Sequence, residues 1–146
     1  MAIYTGELIS GPVPYAHRAG QIVAVYSVYE AATALALNDT IEMCIKPIGL
    51  RVIDCVLVTD DLDTGTALVL DVGFKGGVLD AFIDGSTIGQ AGGMERMTSP
   101  AGLLLADSVA VDAEQTVQIL AQVGPTGGGL GTIKLITYMT AKQTYE

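Results

Sequence analysis

The chain has 146 residues, half of them apolar, with a mean hydropathy of +0.49 and only 16% charged side chains. So apolar and sparsely charged a sequence is not intrinsically disordered, and its length suits one domain, or one domain with an arm. Sixteen acids against seven bases leave a net charge of −9, which argues against a nucleic-acid partner, because neutralising phosphates takes clustered Lys and Arg.

Residues 1–20 stand apart from the rest. Gly11-Pro12-Val13-Pro14 forbids helix and disfavours a central strand, since each Pro lacks an N–H and restricts the residue before it. The segment reads as an extended N-terminal arm, with a short strand near Ile3 and Tyr4. A tail without fixed structure and an arm laid along a partner both fit that composition. The first residues also lack the basic start and apolar stretch of a signal peptide, so the expectation is synthesis in a reducing cytoplasm. Cys44 and Cys55 then read as two core thiols.

Segments of strand length follow. Residues 21–29 are β-branched and aromatic. Residues 31–37 have helix-forming composition, but Asn38-Asp39 cuts them short with a turn. Residues 41–46 alternate, which places Ile41, Met43 and Ile45 on one face. Residues 51–59 do the same with Ile53, Cys55 and Leu57. The polar run Asp60-Asp61-Leu62-Asp63-Thr64-Gly65 reads as a six-residue hairpin loop leading into a strand at 66–74. Residues 75–98 are the least strand-like, with a helical turn expected in 78–83 and in 86–90, ended by Gly92-Gly93. After short apolar pieces at 103–106 and 108–111, residues 115–123 alternate again. A Gly-rich loop at 124–129 precedes a closing strand at 132–140.

That is about eight strands, with no amphipathic helix of 10–15 residues between them to make a parallel βαβ rhythm. The expected fold is all-β: an antiparallel β-sandwich, jelly-roll-like rather than a barrel, spanning 21–146 behind the arm of 1–20. No apolar run approaches the ~20 residues of a membrane span, so no membrane partner is expected. The apolar share is high for a single copy, which hints at apolar surface buried between subunits.

The candidate chemistry is thin. His17 is the lone histidine and sits in the arm, whereas a catalytic base must be held rigidly beside its nucleophile. One His and two Cys eleven apart match no zinc spacing. Asp60, Asp61 and Asp63 resemble the start of a calcium loop, but the twelfth position from Asp61 is Val72, where a Glu is needed. Asp54 and Asp71 lie in strands at no fixed separation. The loop ending in Gly129-Leu130-Gly131 lacks the Lys and hydroxyl of a phosphate-binding loop. The reading is therefore of a protein that is not an enzyme, with no catalytic residue, no cofactor and no metal.

Several stretches taken together carry a resemblance. They are Leu37-Asn38-Asp39-Thr40-Ile41-Glu42-Met43, Pro47-Ile48-Gly49-Leu50-Arg51-Val52-Ile53-Asp54, Asp60 to Gly65, Leu70-Asp71-Val72-Gly73-Phe74 and Gly131-Thr132-Ile133-Lys134-Leu135. Over roughly residues 20–140 this series resembles the decoration (cement) proteins of tailed bacteriophages. That resemblance implies a β-sandwich that binds the outer capsid surface, contacts the major capsid protein and stabilises the shell by bridging its subunits. It implies a homo-oligomer, a trimer being favoured, and brings no catalytic residues. The arm residues Pro12, Pro14, Tyr15, His17 and Arg18 are the expected capsid or subunit contacts, since Pro pre-extends a reaching segment. The alternative is a receptor- or carbohydrate-binding sandwich on a phage tail or head appendage, with Tyr26, Tyr29, Tyr138 and Tyr145 as the available aromatic faces.

Overall fold

Alternation of apolar and polar side chains leaves each strand one face to bury, and two sheets closing on each other satisfy that demand. The computed structural model describes residues 1–7, 9, 21–99 and 113–141. Their strands are β1 (Ile3–Thr5), β2 (Ile22–Glu30), β3 (Thr40–Lys46), β4 (Leu50–Thr59), β5 (Val69–Phe74), β6 (Ile83–Ser86), β7 (Gly93–Arg96), β8 (Gln115–Val123) and β9 (Thr132–Ala141). A single 3-10 turn, Ile88–Gln90, lies between β6 and β7.

One sheet has the order β1-β3-β8-β5-β6 and the other β2-β9-β4-β7. The pairs β2 with β9, β3 with β8, β4 with β7 and β5 with β6 are all antiparallel. The chain from β2 to β9 is thus one long hairpin, doubled at β5–β6 and rolled so that β9 also meets β4 and β8 also meets β5. This is jelly-roll topology, as the sequence led us to expect. Strand β1 adds to β3 in parallel. Asp39 fastens it: one carboxylate oxygen accepts the Ala2 N–H at 2.6 Å, and the other accepts the Ala36 N–H and the Tyr4 hydroxyl. Burial opposes ionisation of Asp39, yet the N–H groups of Ala2 and Ala36 and the Tyr4 hydroxyl hold its carboxyl below the ordinary range.

The core lies between the sheets. Leu57, Ile133, Leu135 and Met139 from one side meet Met43, Val72, Val117 and Ile119 from the other, all at 2% exposure or less. Phe74 and Phe82 pack edge to face at 4.9 Å, and the tilted rings of Tyr4 and Tyr29 lie 5.5 Å apart. Tyr29 is a core residue, and burial raises its phenol. Cys44 and Cys55 are free and fully buried.

Several expectations need correction. Strands β4 and β5 are not a hairpin, because they belong to different sheets, and residues 60–68 cross from one to the other. Bulges shift two of the expected faces. An extra residue between Glu42 and Cys44 buries Met43 and Cys44 together, turns Ile45 partly outward and brings Lys46 inside. A second irregularity between Val52 and Asp54 makes Val52, not Ile53, the core neighbour of Cys55 and Leu57. No helix forms at 78–83; Ile83 opens β6, and Gly93 begins a strand instead of only ending a turn. Residues 31–37 form turns, and Asn38 takes the left-handed conformation (φ 65°) that Asn tolerates.

Candidate interaction surface

The residues with the most chemical promise are built into the framework. Asp63 is fully buried in the crossover between β4 and β5. Its Oδ1 accepts the N–H groups of Gly65 (2.8 Å), Thr126 (3.0 Å) and Gly127 (3.0 Å), and its Oδ2 those of Ala67 and Leu68 (2.9 Å each). The Gly127 N–H chiefly, against burial and with help from Leu68, Gly65 and Ala67, holds this carboxyl well below the usual carboxylate range. Asp63 therefore clamps the crossover to the 124–129 loop. Asp61 accepts the Asp63 N–H and Asp60 accepts the Thr132 N–H, so all three carboxylates of the calcium-like run point at backbone donors.

Lys46 follows the same pattern on the opposite charge. Its ammonium, on a side chain only 1% exposed, donates to the carbonyls of Leu50 (3.0 Å), Ala113 (2.9 Å) and Pro47 (3.3 Å). The β3 bulge places it there, joining the β3–β4 turn to the entry of β8. Burial pushes the Cys44 thiol up to about 11, partly countered by a Thr137 hydroxyl 3.8 Å away. It pushes Cys55 up to about 12, with the Asp54 charge adding to the effect. Neither thiol is a nucleophile at neutral pH. Among the described residues, no group of three His, Cys, Asp or Glu is placed to hold a metal ion. Pro12, Pro14, Tyr15, His17, Arg18 and Tyr145 lie outside the described residues.

What remains is surface. The outward side chains of the four-stranded sheet are Ile22, Ala24, Tyr26 and Val28 on β2, Lys134, Ile136 and Tyr138 on β9, Val56 and Val58 on β4, and Met94 and Arg96 on β7. Ile22 is 57% exposed, Tyr26 50% and Met94 71%. A groove in this face is lined by Ile22, Ile53, Tyr138 and the Arg96–Asp54 ion pair. Lys134 stands 6.0 Å from the Tyr26 ring. On the opposite sheet the backbone of Val78 and Leu79 lies directly over Gly73, Lys75 pairs with Glu42, and a second groove is lined by Met1, Ile3, Thr40, Leu79 and Leu120. The signal for the open face was present in the sequence. Strand β2 is apolar on both sides, with Val23, Val25 and Tyr29 facing in and Ile22, Ala24, Tyr26 and Val28 facing out, the pattern of a strand covered on both faces.

Comparison with solved structures places this sandwich among phage capsid chains. A chain from the capsid of Ralstonia phage GP4 superposes with a TM-score of 0.86 at 26% identity, covering 98% of this chain and 100% of that one. A chain from the capsid asymmetric unit of cyanophage Pam1 gives a TM-score of 0.72 at 23% identity, over 90% of this chain and 92% of that one, and shares the fold. No protein-family model matches the chain, and no curated protein does. The fold and its neighbours define a phage-capsid-related β-sandwich.

Proposed function

We propose that this chain is a structural virion protein that binds the outer surface of a phage capsid and stabilises the shell by bridging neighbouring major capsid protein subunits. The observation that carries this reading is the end-to-end likeness to a chain of a phage capsid. The framework roles of Asp63 and Lys46 support it, because these charged groups are tied up in holding loops together, and Cys44 and Cys55 are buried in the core. A net charge of −9 suits an exterior position, remote from packaged DNA. Many copies, each favouring the assembled state, stabilise a shell by mass action. The protein acts as a homo-oligomer, a trimer being favoured. Arm residues Pro12, Pro14, Tyr15, His17 and Arg18 reach across a neighbour.

The test is addition of purified protein to shells that lack it, read by electron microscopy and by the temperature of shell disruption. Exterior density and a raised disruption temperature are expected; absence of binding rejects the reading. Because Ile3–Thr5 is part of the sheet, the arm is tested by replacing Pro12, Pro14, Tyr15, His17 and Arg18 with Gly and Ser while keeping residues 1–9. Weakened decoration with unchanged folding is expected, and undiminished binding would show that the arm does not contribute.

A further inference from the structure

We infer that the groove on the outer face of the five-stranded sheet is a peptide-binding site, whose occupant is an extended, uncharged segment of a shell subunit. The inference deepens the capsid reading and rests on it for the source of the peptide. The groove holds about 400 Å³, within the range of ligand sites. Asn38, Thr40 and Gln118 line it, neutral polar side chains from β3, β8 and the turn before β3. Among the described residues, none of the three has a partner for its side-chain hydrogen-bonding groups. Gln118 matters most, because it is only 4% exposed. Its neighbours in register explain why its amide is left over: Glu42 on β3 is taken by Lys75, and Gly73 on β5 has no side chain. A buried amide without a partner costs stability, so its presence in a folded protein calls for an explanation. A ligand supplies one.

The lining defines the ligand. Each carboxamide offers donor and acceptor together, and Thr40 adds a hydroxyl, so the complement is a group that also does both, the N–H and C=O of a peptide. Ile3, Leu79 and Leu120 form apolar walls against which the side chains of such a segment can rest. Charge is balanced, because Lys75, which also lines the groove, is paired with Glu42. An ionic ligand would have to break that pair, whereas an uncharged one leaves it intact. No aromatic ring stands among the described lining residues, which removes the stacking face on which a sugar would lie. A second copy of the chain brings a further −9 with it, so charge opposes that occupant where it does not oppose a neutral shell segment.

The test uses the full-length protein, shells that lack it, and overlapping synthetic peptides that span the major capsid protein. Gln118→Leu removes the unpaired amide, so it should hold its thermal midpoint or raise it by about 2–4 °C while weakening shell binding on the order of ten-fold or more. Ile3→Asp with Leu79→Asp, on exposed walls that folding does not need, should weaken binding to a similar degree. One peptide should shift the Gln118 side-chain NH₂ signals in nuclear magnetic resonance spectra, those signals being the pair missing from Gln118→Leu. A lowered midpoint for Gln118→Leu would mark the amide as structural and overturn the inference. So would either variant binding shells as tightly as the unaltered chain, or no peptide moving the Gln118 signals; the capsid reading then stands on the unaltered chain's binding. Variants that lose oligomeric mass in light scattering but keep their shell affinity would give the groove to a second copy, which also overturns it. An unaltered chain that never binds shells, with a peptide still moving the Gln118 signals, would reject the capsid reading and leave the groove a peptide site.

Discussion

Replacing Asp63 with Asn changes one atom of a buried side chain and tests what holds the two sheets in register. The carboxylate accepts five backbone N–H groups, three on Oδ1 and two on Oδ2. An amide keeps one oxygen and replaces the other with an NH₂ group, itself a donor. Either the Ala67 and Leu68 N–H groups or those of Gly65, Thr126 and Gly127 then face a donor. Leu68 is fully buried and has no solvent to turn to. Leaving buried donors unsatisfied is among the costliest single changes, and two or three of them lower the thermal midpoint by roughly 10 °C for a domain of this size. The pH dependence adds an independent check. The folded-state carboxyl is held below its unfolded value, so its contribution is complete above about pH 4. That contribution fades as pH falls below the unfolded value toward the folded one. Thermal melts from pH 7 to pH 2 should therefore show a large gap between the two proteins at pH 7 that narrows in acid. A variant that melts with the original protein at pH 7, or a gap that widens in acid, would refute this account of the crossover.

Two further outcomes follow from the packing. A Cβ added at Gly73 falls closer than 3.0 Å to the backbone of Val78 and Leu79, and backbone yields less readily than a side-chain end. Gly73→Ala should cost about 1–3 kcal/mol in chemical denaturation, and an unchanged midpoint would show that the 75–79 segment moves freely off β5. Cys44 and Cys55, with thiols raised to about 11 and about 12, should resist alkylation in the folded protein at pH 8 and react fully in denaturant; mass spectrometry reads both states.

The long strands were legible because their apolar periodicity runs for seven residues or more: β2, β3, β4, β8 and β9 fall within a residue or two of their expected bounds. Strands β6 and β7 were not, since Ile-Asp-Gly-Ser and Gly-Met-Glu-Arg are four residues each and show no alternation. Bulges are equally silent, because one inserted residue leaves composition untouched while reversing every later side chain. Lys46 shows the effect, reading as solvent-facing and ending inside. The 60–65 run was recognised as a connection but given the wrong destination. Its turn chemistry is local, whereas the choice of sheet depends on Asp63 meeting Thr126 and Gly127 some sixty residues away. For the candidate surface, the doubly apolar β2 was the available clue. Which side stays open depended on where β9 and β4 settle.

The doubled-hairpin route also governs when the molecule can form. Strand β9 sits in the middle of its sheet, between β2 and β4, yet it is the last strand of the described chain to leave the ribosome. Until it arrives, β2 and β4 have no central neighbour, so that sheet cannot be completed before β9 has emerged. Pairings between residues more than a hundred positions apart, such as Ile22 with Thr140, close slowly. Completion of the domain thus waits for β9 and then proceeds on the millisecond-to-second scale of all-β folds, an interval in which newly made copies carry unpaired strand edges in a crowded cell.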